Sequence, residues 1–166
     1  MRRAVGILAG LALLTGCASA PSTTREIEAV AKEFAPPPAD ASRLIVYRPV
    51  AMRLGGAVLL AVTIDDRNPV DLGPGMFLSV DLDPGSHTLY TRYGTAGAKV
   101  IGVETTAGAI SYYQISLANE AKPVNATKAQ AAIRNYRLAW TADMGTEGLR
   151  VPSAEPRRRG LNGRMR

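Results

Sequence analysis

From Arg43 to Leu117 the chain is cut by turn-forming residues into runs too short for ordinary helices. The runs 44–47, 58–64, 76–82, 86–93, 100–105 and 110–117 are rich in Val, Ile, Leu, Tyr and Thr. Between them lie Gly55-Gly56, Asp65-Asp66-Arg67-Asn68, Gly73-Pro74-Gly75, Asp83-Pro84-Gly85, the stretch 94–97 and Ala107-Gly108. Short β-rich runs at such spacing predict a mainly β fold, a sandwich or barrel of mostly antiparallel strands with a short helix. An apolar fraction of 46% supports a packed core. A single cysteine leaves that core no internal disulfide to lean on.

The sharpest local expectation is a hairpin at Asp83-Pro84-Gly85-Ser86. Pro fixes φ and Gly accepts φ > 0, which suits a type II turn. That turn would pair Leu82 with His87, Val80 with Leu89, Leu78 with Thr91 and Met76 with Tyr93, giving one apolar face. The other face would carry Phe77, Ser79 and Asp81. A three-residue loop stays open as an alternative, because hairpins prefer the mirror-image turns. Gly75, Pro84, Gly85 and His87 are thus read as turn and structural residues, His87 half-buried opposite Leu82.

Outside this region the signals are helical or polar. Thr23 and Glu26 offer a capping box before Ile27, Val30, Ala31 and Phe34 at helical spacing, followed by Pro36-Pro37-Pro38. That helix either docks or stays in a flexible tether. Thr127 and Gln130 offer a second box, predicting a helix near 127–134 and a strand from about 136 to 141. Residues 150–166 hold six Arg and one Glu among Pro and Gly, so they read as a disordered basic tail. The alternative for this tail is attraction to anionic lipopolysaccharide or peptidoglycan.

The N-terminus predicts an address. Arg2 and Arg3 precede an uncharged apolar run, 4–14, that is too short to span a bilayer. Leu14-Thr15-Gly16-Cys17 resembles the bacterial lipobox. The resemblance implies cleavage before Cys17, a diacylglycerol thioether on its sulfur and a fatty acyl group such as palmitate on its new amine. Two acyl chains already hold a protein stably on a membrane. Ala18 in place of an aspartate implies the periplasmic face of the outer membrane. The expected division is therefore a signal peptide 1–16, a lipidated tether 17–42, a β-sandwich domain 43–150 and a tail 151–166.

Ile64-Asp65-Asp66-Arg67, Leu72, Gly75-Met76-Phe77 and Val80-Asp81-Leu82-Asp83-Pro84-Gly85-Ser86-His87-Thr88-Leu89 resemble a family of bacterial lipoproteins of unknown function. Its pattern is I-D-G-K, a leucine, G-x-Y/F and P-G-x-H-x-L, similar to PEGA-type surface domains. Val46-Tyr47-Arg48-Pro49 and Tyr112-Tyr113 match its first and last strands. The resemblance covers about residues 43–118 and implies a small antiparallel β-sandwich of about seven strands on a lipid anchor, with no known activity. Asp66 and Val70 stand where the family has Gly. Asp tolerates φ > 0 better than most residues, whereas β-branched Val does not, so the second turn should differ in shape.

Catalytic devices are scarce. One histidine and a cysteine committed to lipid give no Cys–His dyad and no zinc set. Ser86 and His87 are neighbours in a strand and point to opposite faces. Asp81 and Asp83 share a face as glycosidase carboxylates can, though solvated surface is the plainer reading. Tyr47, Tyr90, Tyr93, Tyr112, Tyr113 and Trp140 read as packing residues, with a sugar- or peptide-binding face as the alternative. The expected function is non-enzymatic binding or scaffolding of an envelope protein or glycan, with no cofactor, no metal and no nucleic acid. The alternative is a small cell-wall or surface-glycan hydrolase or lyase using Asp81, Asp83 and His87. Thioether acylation needs the sulfur, so Cys17→Ser should abolish lipid labelling and cleavage. Equal membrane retention and normal processing of the variant, read by fractionation, would overturn the lipobox reading.

Overall fold

The computed structural model describes residues 23–50, 59–95, 97–116 and 118–139. Its elements in chain order are α1 (Arg25–Ala31), β1 (Ser42–Arg48), β2 (Leu60–Ile64), β3 (Val70–Leu72), β4 (Met76–Leu82) and β5 (Gly85–Tyr93). Then come β6 (Lys99–Thr105), β7 (Ile110–Ile115), β8 (Ala121–Pro123), α2 (Ala126–Ile133) and β9 (Arg137–Leu138). The strands form a five-stranded sheet, β8-β7-β1-β4-β9, and a four-stranded sheet, β3-β2-β5-β6. The fold is mainly β, as expected, with nine strands and two helices among the described residues.

Two cores hold it together. Between the sheets, Leu44, Val46, Leu78, Val80 and Leu82 of the first meet Leu60, Val62, Ile64, Leu72, Leu89 and Val103 of the second. On the other side of the five-stranded sheet, Ile45, Tyr47, Phe77, Tyr112 and Leu138 are covered by Ala31 of α1 and by Ala129 and Ile133 of α2. β1 and β4 are therefore buried on both faces, which explains their continuous apolar character. The four-stranded sheet has one covered face, and its β2 alternates buried and half-buried residues.

The expected hairpin does not form. β4 pairs with β1 (Leu44 opposite Val80) and with β9, whereas β5 pairs with β2 and β6. Asp83-Pro84-Gly85 instead carries the chain from one sheet to the other. The reason lies in Phe77 and Ser79, placed on a solvated face by the hairpin register but 0% and 1% exposed. A strand buried on both faces needs a sheet neighbour on each side and a layer on each face, which an isolated ribbon cannot give. Gly85 sits at φ +138, outside the range of a type II turn, in a conformation L-residues rarely adopt.

Other expectations shift as well. The sheet is not wholly antiparallel, since β1–β7 and β4–β9 run parallel. β3, β8 and β9, each three residues or fewer, carry too little periodicity to be read from sequence. The second half of the expected tether belongs to the fold. The seven-residue α1 would be marginal alone, but Leu138 binds it twice, its carbonyl taking the Thr23 N–H and its N–H reaching Glu28 Oε2. Both capping boxes are displaced. Thr24 caps α1, and Asn125 caps α2 by accepting from the Lys128 N–H at 2.9 Å. The positive φ in the β2–β3 turn falls on Asp65 rather than Asp66, and Val70 enters β3 without one.

Gly75 precedes β4 at φ +68, and its N–H and C=O bond Arg48 and Arg137 backbone groups at 2.9 Å each. A Cβ there would stand 2.9 Å from Val50 Cγ2. Because β4 is buried on both faces, Phe77→Ala should destabilise the chain lacking residues 1–16 by about 3–5 kcal/mol and Leu78→Ala by about 2–5 kcal/mol. Urea unfolding checks this. A silent Phe77→Ala would mean that the helices do not cover that face.

Candidate functional site

The chemistry-bearing residues gather where the chain crosses between the sheets. The crossover is fixed from three directions. Ser42 Oγ, buried at the start of β1, donates to the carbonyls of Leu82 and Asp83 and lies 2.8 Å from Thr105 Oγ1. Thr105 Oγ1, at the end of β6, takes the Gly85 N–H at 3.3 Å. From β5, His87 Nε2 reaches the Asp83 carbonyl at 2.8 Å.

His87 has a second partner. Its Nδ1 lies 2.8 Å from Asp65 Oδ2, in the turn between β2 and β3. The other oxygen of Asp65 accepts the Thr88 N–H at 2.8 Å. Both ring nitrogens thus face acceptors. Only the imidazolium, with two N–H donors, satisfies both. Burial alone disfavours the charged ring, but the bonds to Asp65 and the Asp83 carbonyl, with the Asp65 charge, outweigh it and hold the His87 pKa above its ordinary value. Arg67 opposes this. For Asp65 burial pushes the pKa upward, yet the Thr88 N–H, the His87 contact and Arg67 prevail and hold it below the usual carboxylate value.

Asp81 is not a solvated surface acid. Arg43, directly opposite it across β1 and β4, grips both carboxylate oxygens at 2.6 and 2.9 Å. The pair is mostly buried, with side chains 11% and 18% exposed. Arg43 Nη1 also donates to the Ala35 carbonyl, tying the segment after α1 to the sheet. Asp83 is exposed, and its backbone carbonyl rather than its carboxylate makes the described contacts. Asp81 and Asp83, with Asp40, Arg67 and Pro38, line a polar cleft of 280 Å³. A second cleft of 390 Å³ lies at Arg48, Pro49, Gln114 and Ser116. There Arg48 is buried, donates to the Leu72 carbonyl and stacks 5.7 Å above the Tyr93 ring.

Gly75, Pro84, Gly85 and His87 occupy turns or their flanks, with His87 opposite Val103 of β6 rather than Leu82. The tyrosines do not assemble into one binding face: Tyr47 and Tyr112 are buried under the helices, while Tyr93 and Tyr113 pack against the core between the sheets. Of the six described tyrosines Tyr90 alone is exposed, at 38%. Cys17, the expected signal segment, Trp140 and the Arg-rich C-terminal stretch lie outside the described residues. Ser42 and Thr105 had no role in the sequence reading, Arg43 marked only where the β-rich region begins, and Asp65 stood there only as a turn residue and as part of the lipoprotein-like motif. The Arg43–Asp81 pair is an opposite-charge cross-strand pair that becomes visible once β1 is set against β4. The Asp65–His87 contact spans 22 positions and has no periodic signal.

No model of a known protein family matches the sequence, and no curated protein matches it. Among the described residues no group of three or more His, Cys, Asp or Glu could hold a metal ion. No described helix is long and apolar enough to cross a membrane.

Asp81→Ala should leave the Arg43 guanidinium without its carboxylate in a mostly buried place, costing about 1–3 kcal/mol. Adding Arg43→Leu should recover part of that loss. Additive losses in a double-mutant cycle would show that the two side chains are not coupled.

Proposed function

We propose that the protein is a lipid-anchored envelope module, held at the periplasmic face of the outer membrane through Cys17, that binds or scaffolds another envelope component without catalysing a reaction. The lipobox-like Leu14-Thr15-Gly16-Cys17 supports the location. The engagement of the would-be catalytic groups supports the non-enzymatic part. Asp81 is held by Arg43, and His87 is held by Asp65 and the Asp83 carbonyl.

The observation that carries the binding reading is the edge at β6, which among the described strands pairs only with β5. Edge strands offer unpaired backbone groups to an incoming strand. The edges β8, β9 and β3 are three residues or shorter, whereas β6 has seven. Ser111 Oγ donates to the Glu104 carbonyl at 3.4 Å, which puts that carbonyl on the side of β6 away from β5. By the alternation of an antiparallel ladder, the N–H and C=O of Gly102 and Val100 point the same way. Val100 is 64% exposed and sits beside Tyr90 on the uncovered face of the four-stranded sheet. Gly102 has no side chain to keep a strand away, and nothing lies within 4 Å of where its Cβ would be. An extended peptide with an apolar residue for the Val100–Tyr90 patch fits this edge.

Val100→Lys adds a charge where an edge strand is readily guarded, and as a surface change it should alter stability by no more than about 0.5 kcal/mol. Cross-linking in intact envelopes should give a discrete adduct with the wild-type chain. That adduct should be lost in Val100→Lys and kept in Asp71→Lys, a change on the opposite edge strand β3. Identical adducts from all three chains would sink the strand-addition reading.

A further inference from the structure

His87 joins two segments that both line one cleft. Its Nδ1 holds Asp65 in the β2–β3 turn, which also supplies Arg67 to the cleft; its Nε2 holds the Asp83 carbonyl in the crossover, which supplies the Asp83 wall. We propose that His87 is a proton-operated clasp, in which the imidazolium ties the β2–β3 turn to the inter-sheet crossover and loss of its proton releases one tie and opens the cleft between them. This goes beyond strand binding at β6 and does not depend on it.

The argument is one of donors and acceptors. A carboxylate and a backbone carbonyl are both acceptor-only, and a neutral imidazole has one N–H. Deprotonation must therefore set a ring lone pair against one of two oxygens at 2.8 Å. Other contacts limit what moves. Ser42 and Thr105 still hold the crossover, and the Thr88 N–H still holds Asp65. The result is local loosening rather than unfolding.

The groups around the ring can be named by element. From the β2–β3 turn, Asp65 favours the proton and Arg67 opposes it. From the crossover comes the Asp83 carbonyl, and from β6 the cross-strand neighbour is uncharged Val103. Glu104 is bonded to Ser86, and Asp81 is paired with Arg43. The folded pKa of His87 lies above its ordinary value, so the clasp contributes fully below about pH 6.5 and is lost as pH rises through the folded pKa. Asp65 is shifted the other way; its contribution is present above about pH 3.9 and lost as pH falls through its folded pKa.

His87 is the chain's only histidine, so ring-nitrogen NMR of the ¹⁵N-histidine-labelled chain lacking residues 1–16 reads it without assignment. Both nitrogens should be protonated at pH 6.5, with one titration above that value. Each unit of elevation corresponds to a tenfold change in the closing constant. Amide exchange at residues 65–67 and 83–85, corrected for intrinsic rates, should rise across the same titration by that factor. In His87→Gln, exchange at these residues should exceed that of wild type below the titration and show no such step. Asp65→Asn, which keeps the ring and the Asp83 carbonyl but removes the charge, should lower the titration, and it decides the matter if His87→Gln does not fold. A ring titrating at or below the ordinary value would overturn the clasp. So would unchanged titration in Asp65→Asn, or equal corrected protection below the titration in wild type and a folded His87→Gln.

Discussion

The structure depends on β1 and β4 being buried on both faces. Once Ile45, Tyr47 and Phe77 are apolar on the side away from the other sheet, that side must be covered as well. The helices exist for this reason more than for their own propensity. Seven- and eight-residue helices are short for independent stability, and each is held by the face it covers. The parallel β1–β7 and β4–β9 pairings follow from the same need. They keep β1 and β4 inside the sheet and move the edges to β8 and β9.

The fold class was legible because strand length and turn chemistry are local properties. The runs at 76–82, 86–93 and 100–105 and the second helix all appear close to where their patterns put them. The partner of each strand was not legible. Asp83-Pro84-Gly85 signals a reversal equally well for a hairpin and for a step between layers, and only the burial of Phe77 and Ser79 separates them. Strict alternation would have exposed those two residues, so the period-two reading failed on the strand that is covered twice. α1 could be seen as a helix, but its docking depends on Leu138, more than a hundred positions away.

The polar end of the sandwich was legible in part for the same reason. Asp81, Asp83 and His87 stood out as chemistry-bearing groups, and they do lie together. What they do there is set by residues to which the sequence reading gave no chemical role. Arg43 turns Asp81 into half of a cross-strand ion pair, and Asp65 gives His87 a charged partner. Ser42 and Thr105 supply hydroxyls that meet the carbonyls of a crossover passing between layers. Such carbonyls would otherwise be costly to bury.

The bonds from Thr23 and Glu28 to Leu138 also order events in time. A chain delivered N-terminus first can lay α1 down early against β1 and β4, but its bonds to Leu138 must wait until residue 138 arrives. β1 likewise waits for β7 before its second sheet partner is present. Contacts this distant in sequence make folding slow, because loop closure precedes any gain from packing. Throughout that wait the surface of Ile45, Tyr47 and Phe77 stands open, and partly made sheets with such surfaces associate. The last described strand, two residues long, brings Leu138 to that face beside α1 and α2.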